Sequence, residues 1–147
     1  MRPPEEVKRD LVRQWLARAE GDLGVARHLA TESTYFAAAA FHAQQAAEKH
    51  LKALLVAHQV EFPKTHDLEE LLDLIAAVDA ALSDSLRDAA LLTPYGVEAR
   101  YPSEALEPTA AEARRAIALA ERVREAIVRT LGSLEIEERV ARETGWH

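Results

Sequence analysis

Between Tyr35 and Gln59 the apolar side chains recur with the period of an α-helix, and no other feature constrains the fold as much. At about 100° per residue, Phe36, Ala40, Ala43, Ala47, Leu51, Leu54 and His58 fall within roughly 45° of one direction. Alanine dominates this stripe, so a neighbouring helix can approach closely. A second stripe, Leu11, Trp15, Ala19, Leu23, Ala26 and Ala30, predicts a helix from Pro3 or Pro4 to about Ala30. Proline suits its first turn, where a missing amide proton costs nothing. Ser33 or Thr34 is suited to cap the helix that follows. A third stripe, Ala113, Ala116, Ile117, Ala120, Val123, Ile127 and Leu131, predicts a long helix starting at Thr109 or the residue before it. Gly132 suits its C-terminal cap.

Shorter elements fill the interval. Asp67 and Glu70 have the spacing of a capping box ahead of Leu68, Leu71, Leu72 and Ile75, which predicts a helix to about Ala80. Ser83 or Asp84 would cap another through Leu92, ended by Pro94. With only five glycines and 5% aromatics, the composition favours helix over sheet. The expected fold is all-α, an up-and-down bundle of four to five helices over residues 1–132. Residues 133–147 form a C-terminal tail that adds a helical turn or frays.

Several chemistries are excluded at once. There is no cysteine, hence no thiolate metal site, cysteine nucleophile or disulfide framework. His42, His50 and His58 stand eight residues apart; on a helix that step turns about 80° past two turns, so they cannot converge on one ion. No metal site and no cofactor are expected. Phosphate-binding glycine loops and serine nucleophile elbows are absent. The net charge of −7 argues against a generic polyanion-binding surface while leaving room for a local basic site. No apolar run reaches the ~20 residues of a membrane span, and MRPPEEVKRD lacks the apolar core of a signal peptide, so a cytoplasmic protein without membrane contact is expected.

Three groups of residues could carry function. Off the apolar stripe of the second helix, His42, Gln45, Lys49 and Lys52 form a polar row flanked by Phe41 and Glu48. A polar row is ordinarily a solvated face, but Phe41 calls for a partner surface, so Phe41 and His42 are expected at an oligomer interface. Between Pro94 and Pro108 lies a long irregular stretch holding Tyr95, Arg100 and Tyr101, a guanidinium and two phenols able to hold a phosphate and stack a base. His66, beside Asp67, reads first as a turn residue. Residues 61–93 carry eight acidic side chains against Lys64 and Arg87 alone. An anion should therefore avoid that segment and seek Arg100, Lys49 and Lys52. The expected nucleotide or phosphate site is Arg100, Tyr101, Tyr95, Lys49, Lys52, Gln45 and His66.

FHAQQAAEKHLKALL (Phe41 to Leu55), KTHDL (Lys64 to Leu68) and ARYP (Ala99 to Pro102) together resemble the HEPN family, the higher eukaryotes and prokaryotes nucleotide-binding domain, in its small stand-alone prokaryotic form. The resemblance implies a helical bundle that forms a homodimer or higher even oligomer. It also implies pairing with a minimal nucleotidyltransferase, often as toxin and antitoxin. Many members are metal-independent ribonucleases marked by an arginine, four to six residues and a histidine. Here only Arg142 and His147 have that spacing, at the extreme C-terminus. The expected function is therefore a non-catalytic dimeric module that pairs with a nucleotidyltransferase and binds a nucleotide or RNA phosphate. Two alternatives are an endoribonuclease with a variant site, using His66 or His42 beside Arg100, and a structural oligomerisation bundle.

Overall fold

The computed structural model describes residues 4–96 and 107–144. Among these the chain forms five α-helices and one 3-10 segment: α1 (Pro4–Glu32), α2 (Phe36–Ala57), α3 (Leu68–Ala76), α4 (Ala80–Ser85), the 3-10 segment Arg87–Gly96, and α5 (Ala110–Thr144). No described helix is long and apolar enough to cross a membrane.

Helix α2 is the axis of the bundle. It packs against α1, α3, the 3-10 segment and α5. That position explains its alanines: Ala39, Ala40, Ala43, Ala46, Ala47 and Ala53 are all fully buried, so several faces bury at once and small side chains let the other helices in. Leu51, Leu54, Leu71, Leu72, Ile75, Leu92 and Ile127 fill the space between. Each such burial contributes about 1.5–3 kcal/mol.

Cross-helix pairs fix the directions. Lys52, Lys49 and His42 of α2 meet Trp15 and Asp22 of α1 in reverse order, so α1 and α2 are antiparallel. Lys8, Glu20 and Arg27 of α1 pair with Glu138, Arg124 and Glu121 of α5, again in reverse order. The all-α bundle is as expected.

Several boundaries differ from those expected. Tyr35, not Ser33 or Thr34, holds the position before α2 and makes no side-chain cap. The Ser33 hydroxyl instead donates to the Leu29 carbonyl and accepts from the Tyr35 amide, fastening the α1–α2 turn. Helix α3 stops at Ala76, because Asp79 caps a separate α4 by accepting from the Leu82 amide at 3.0 Å. Ser83, expected as a cap, is buried inside α4 and donates to the Leu72 carbonyl. Pro94 lies within the 3-10 segment rather than ending an α-helix. Its fixed φ is compatible with 3-10 geometry. Gly132 lies inside α5, which continues to Thr144. The start of α5 is a reciprocal capping box: Thr109 Oγ1 accepts from the Glu112 amide and the Thr109 amide donates to Glu112, both at 3.1 Å.

Candidate functional site

Gln44, Glu48 and Lys52 succeed one another at four-residue steps along one row of α2, and all three are buried. The Glu48 carboxylate is their hub. It lies 3.2 Å from Lys52 Nζ, 3.4 Å from Gln44 Nε2 and 2.7 Å from Nδ1 of His66. The Lys52 ammonium also sits 5.5 Å from the ring centre of Trp15 and 5.6 Å from that of Phe62. Those two rings meet edge to face at 6.1 Å. A buried ion pair is tolerated only where its remaining hydrogen-bonding capacity is met, and here donors and aromatic faces meet it.

His66 occupies the turn that Asp67 closes. Asp67 caps α3 by accepting from the Glu69 amide at 3.0 Å. Glu70 does not return to the Asp67 amide, as a capping box would require. Thr65 takes both roles, donating to Glu70 at 2.9 Å and accepting from the Asp67 amide at 3.1 Å. The His66 carbonyl accepts from Gln44 Nε2 at 3.0 Å, and the Leu68 amide donates to Thr93 of the 3-10 segment. These bonds fix the backbone of the turn. The His66 side chain remains 64% exposed while its Glu48 partner is almost wholly buried. An exposed imidazole held by a buried carboxylate is oriented without being hidden, an arrangement suited to hydrogen bonding or proton transfer with a ligand.

The polar row of α2 does not act as one face. His42 and Lys49 are both claimed by Asp22 of α1, His42 at 2.9 Å. Lys52 turns to Glu48. Both lysines expected to meet an anion are thus already paired with carboxylates. Gln45 is half-buried and donates to Gln44 Oε1 at 2.7 Å, so it belongs to the Glu48–His66 cluster. Phe41 is half-buried and stands edge to face on His42 at 5.3 Å. Tyr95 packs against the core at the end of the 3-10 segment, beside the buried Gly96. Arg100 and Tyr101 lie outside the described residues. Glu48 and Asp22 are the side chains that sequence reasoning left out of the site. The Glu48–Lys52 spacing was a usable signal, since a glutamate four residues before a lysine favours an intrahelical pair.

Among the described residues no group of three or more His, Asp or Glu side chains could hold a metal ion. A concavity of about 310 Å³ lies between α1 and α5, with Val12, Leu16, Val128 and Leu131 in its lining. It shares no residue with the Glu48–His66 cluster. Lys8 lies at the same place; burial disfavours its ammonium, but Glu5 and Glu138 together hold its pKa above the usual value.

Comparison with known proteins agrees with this architecture. No curated protein matches the chain. A solved structure, that of TT1696 from Thermus thermophilus, is 31% identical to it. The likeness covers 80% of this chain and 96% of that one, with a TM-score of 0.67. The family model of the HEPN domain matches residues 12–131, which takes in α2, the Glu48–His66 cluster and α5 as far as Leu131. With that much of its length matched, the chain belongs to the HEPN domain family.

Proposed function

We propose that this HEPN domain is a dimeric, non-catalytic module that pairs with a minimal nucleotidyltransferase and binds a nucleotide or an RNA phosphate. The proposed site comprises His66, Gln45 and Tyr95, together with Arg100 and Tyr101, which follow Gly96 in sequence. The observation that carries this reading is the exposed imidazole of His66, oriented by the buried Glu48 and tied through Gln44 to the same cluster. Of the three cations expected at the site, Lys49 and Lys52 are paired with Asp22 and Glu48, and Arg100 is the one we assign to the phosphate. Isothermal titration with ATP and with a short RNA tests the reading, with Arg100→Ala as control. Binding that is lost in Arg100→Ala and weakened by salt supports it. No heat with either ligand at millimolar concentration sinks it. Sedimentation tests the dimer, which Phe41→Asp should dissociate without loss of helix.

The Glu48–His66 pair also favours a second reading, a metal-independent endoribonuclease. In it, His66 takes the proton of a 2′-hydroxyl, that oxygen bonds the adjacent phosphorus as the P–O5′ bond breaks, and the 5′-oxygen leaves with a proton from water. Arg100 stabilises the developing phosphorane charge. RNA cleavage in EDTA, abolished by His66→Gln, would establish it. An RNA left intact by the wild-type protein returns the first reading.

A further inference from the structure

We infer that Glu48 is a positioning residue that dictates which atom His66 offers, and that the site consequently reads a hydroxyl donor, the ribose 2′-hydroxyl of a ribonucleotide. The inference rests on the nucleotide-binding reading above and adds to it what the imidazole recognises.

The argument begins with the hydrogen-bond inventory around Glu48. An ionised carboxylate only accepts. Lys52 brings an ammonium to it at 3.2 Å. Gln44 brings its NH2 group, because the Gln44 amide orientation is fixed at both ends: Nε2 faces the His66 carbonyl at 3.0 Å, and Oε1 accepts from Gln45 at 2.7 Å. The remaining approach, at 2.7 Å, is Nδ1 of His66, and it must therefore bring a proton too. A neutral His66 ring is thus held as the Nδ1–H tautomer. Its Nε2 is then a lone-pair acceptor. That nitrogen has no protein partner among the described residues, and the side chain is 64% exposed.

Charge points the same way. Glu48 and Lys52 cancel each other inside the bundle, so the cluster presents no net positive charge of its own to a phosphate. The exposed side chains around the turn are mostly acidic, Glu61, Asp67, Glu69 and Glu70 against Lys64 alone. A neutral acceptor nitrogen recognises an O–H donor, and the ribose hydroxyl is the group by which a site tells a ribonucleotide from its deoxy counterpart. Within the nucleotide-binding reading, His66 then supplies the sugar preference.

Two measurements test this together. Nitrogen-15 correlation spectra of the wild-type protein near neutral pH should show His66 as the Nδ1–H tautomer. The preference should be lost in the Glu48→Leu, Lys52→Met double variant, which removes both buried charges and the acceptor that Nδ1 faces; its helical content is checked by circular dichroism. Titration with ATP against 2′-deoxy-ATP, and with a short RNA against DNA of the same sequence, should show a ribo preference of roughly three- to tenfold, the effect of one hydrogen bond. That preference should vanish in His66→Phe. The mononucleotide and oligonucleotide pairs tell which source of the ribose the site takes. An Nε2–H tautomer in the wild-type protein overturns the role of Glu48. Equal binding of ribo and deoxy ligands overturns the hydroxyl reading and leaves nucleotide binding standing. Absence of binding by all four ligands overturns both.

Discussion

A Cβ placed on Gly96 would come within 2.5 Å of the Gln44 carboxamide carbon and 2.6–2.7 Å of its oxygen and nitrogen. Gly96 is buried at the end of the 3-10 segment, and Gln44 is fully buried on α2. The carboxamide is the far end of a flexible side chain, yet it is pinned by the His66 carbonyl, Glu48 and Gln45. Gly96 therefore rests directly on the network that holds His66.

Gly96→Ala should accordingly destabilise the protein by about 1–3 kcal/mol, the cost of leaving a buried amide without its partners. The clash is with one side chain, so Gln44→Ala in the same protein should be less harmful than the sum of the two single changes. Urea unfolding of the four proteins in the cycle measures this. Strict additivity would show that the two residues do not touch.

Helix α2 ends with a left-handed residue that is not glycine. Gln59 has φ 57°, its amide donates to Val56, and the Val60 amide reaches back to Leu55, both at 2.9 Å. This is the Schellman pattern, in which glycine ordinarily takes the position of Gln59. Gln59→Gly should therefore raise stability by about 0.5–1 kcal/mol, the relief of Cβ strain less the added freedom of the unfolded chain. A higher melting temperature is the expected readout, and a lower one would mean that the Gln59 side chain makes a stabilising contact.

His50 makes stability depend on pH. It is fully buried; its Nδ1 lies 2.9 Å from the Ala46 carbonyl, and its Nε2 lies 3.4 Å from Glu20. Burial pushes its pKa below the usual 6.5, and Glu20 and the Ala46 carbonyl only partly offset this. Below that value the unfolded chain takes up a proton that the folded chain resists, so stability falls as the pH drops through about 6.5. Glu20 acts in the same sense further down. Burial favours its neutral form, but Arg124 and His50 hold its pKa below the ordinary 4.5, so its contribution is lost only in the carboxylate range. Urea midpoints measured between about pH 7 and about pH 5 should decline for the wild-type protein and change less in His50→Gln. An equal decline in both would remove His50 as the cause.

The long helices were legible because each carries one uninterrupted periodic stripe, and the Asp67 cap because local side-chain chemistry decides it; from sequence, Thr109 is only one of two possible starts of the last helix. The Asp79 cap was hidden by Ala80, Ala81 and Leu82, which look like a continuation of α3. Gly132 misleads because its cost, about 1 kcal/mol in a helix interior, is small beside the packing of Leu131 and Leu134 against the core on either side of it. In the candidate site, His66 and Gln45 stood out by residue type. Asp22 did not, since nothing local joins a carboxylate on α1 to His42 and Lys49 two turns apart on α2. Lys52 was equally ambiguous: it lies three residues after Lys49 and four after Glu48, and its long stem reaches either row.

That ambiguity yields the final prediction. Lys52 lies beside the Trp15–Phe62 pair with its ammonium on Glu48, and both charged side chains are almost fully buried. Lys52→Met keeps the length and apolar contact of the stem but leaves a buried carboxylate facing only His66 and Gln44, a change that should cost about 3–5 kcal/mol. Glu48→Gln in the same background removes the uncompensated charge while keeping an oxygen to accept from His66, so the double variant should recover most of the loss. The ion pair itself would then be nearly neutral for stability, its two desolvation penalties offsetting its attraction. Denaturant unfolding of the two single variants, the double variant and the wild type measures the coupling. A double variant no more stable than Lys52→Met alone would show that the loss came from the contact of Lys52 with Trp15 and Phe62, not from the stranded charge of Glu48.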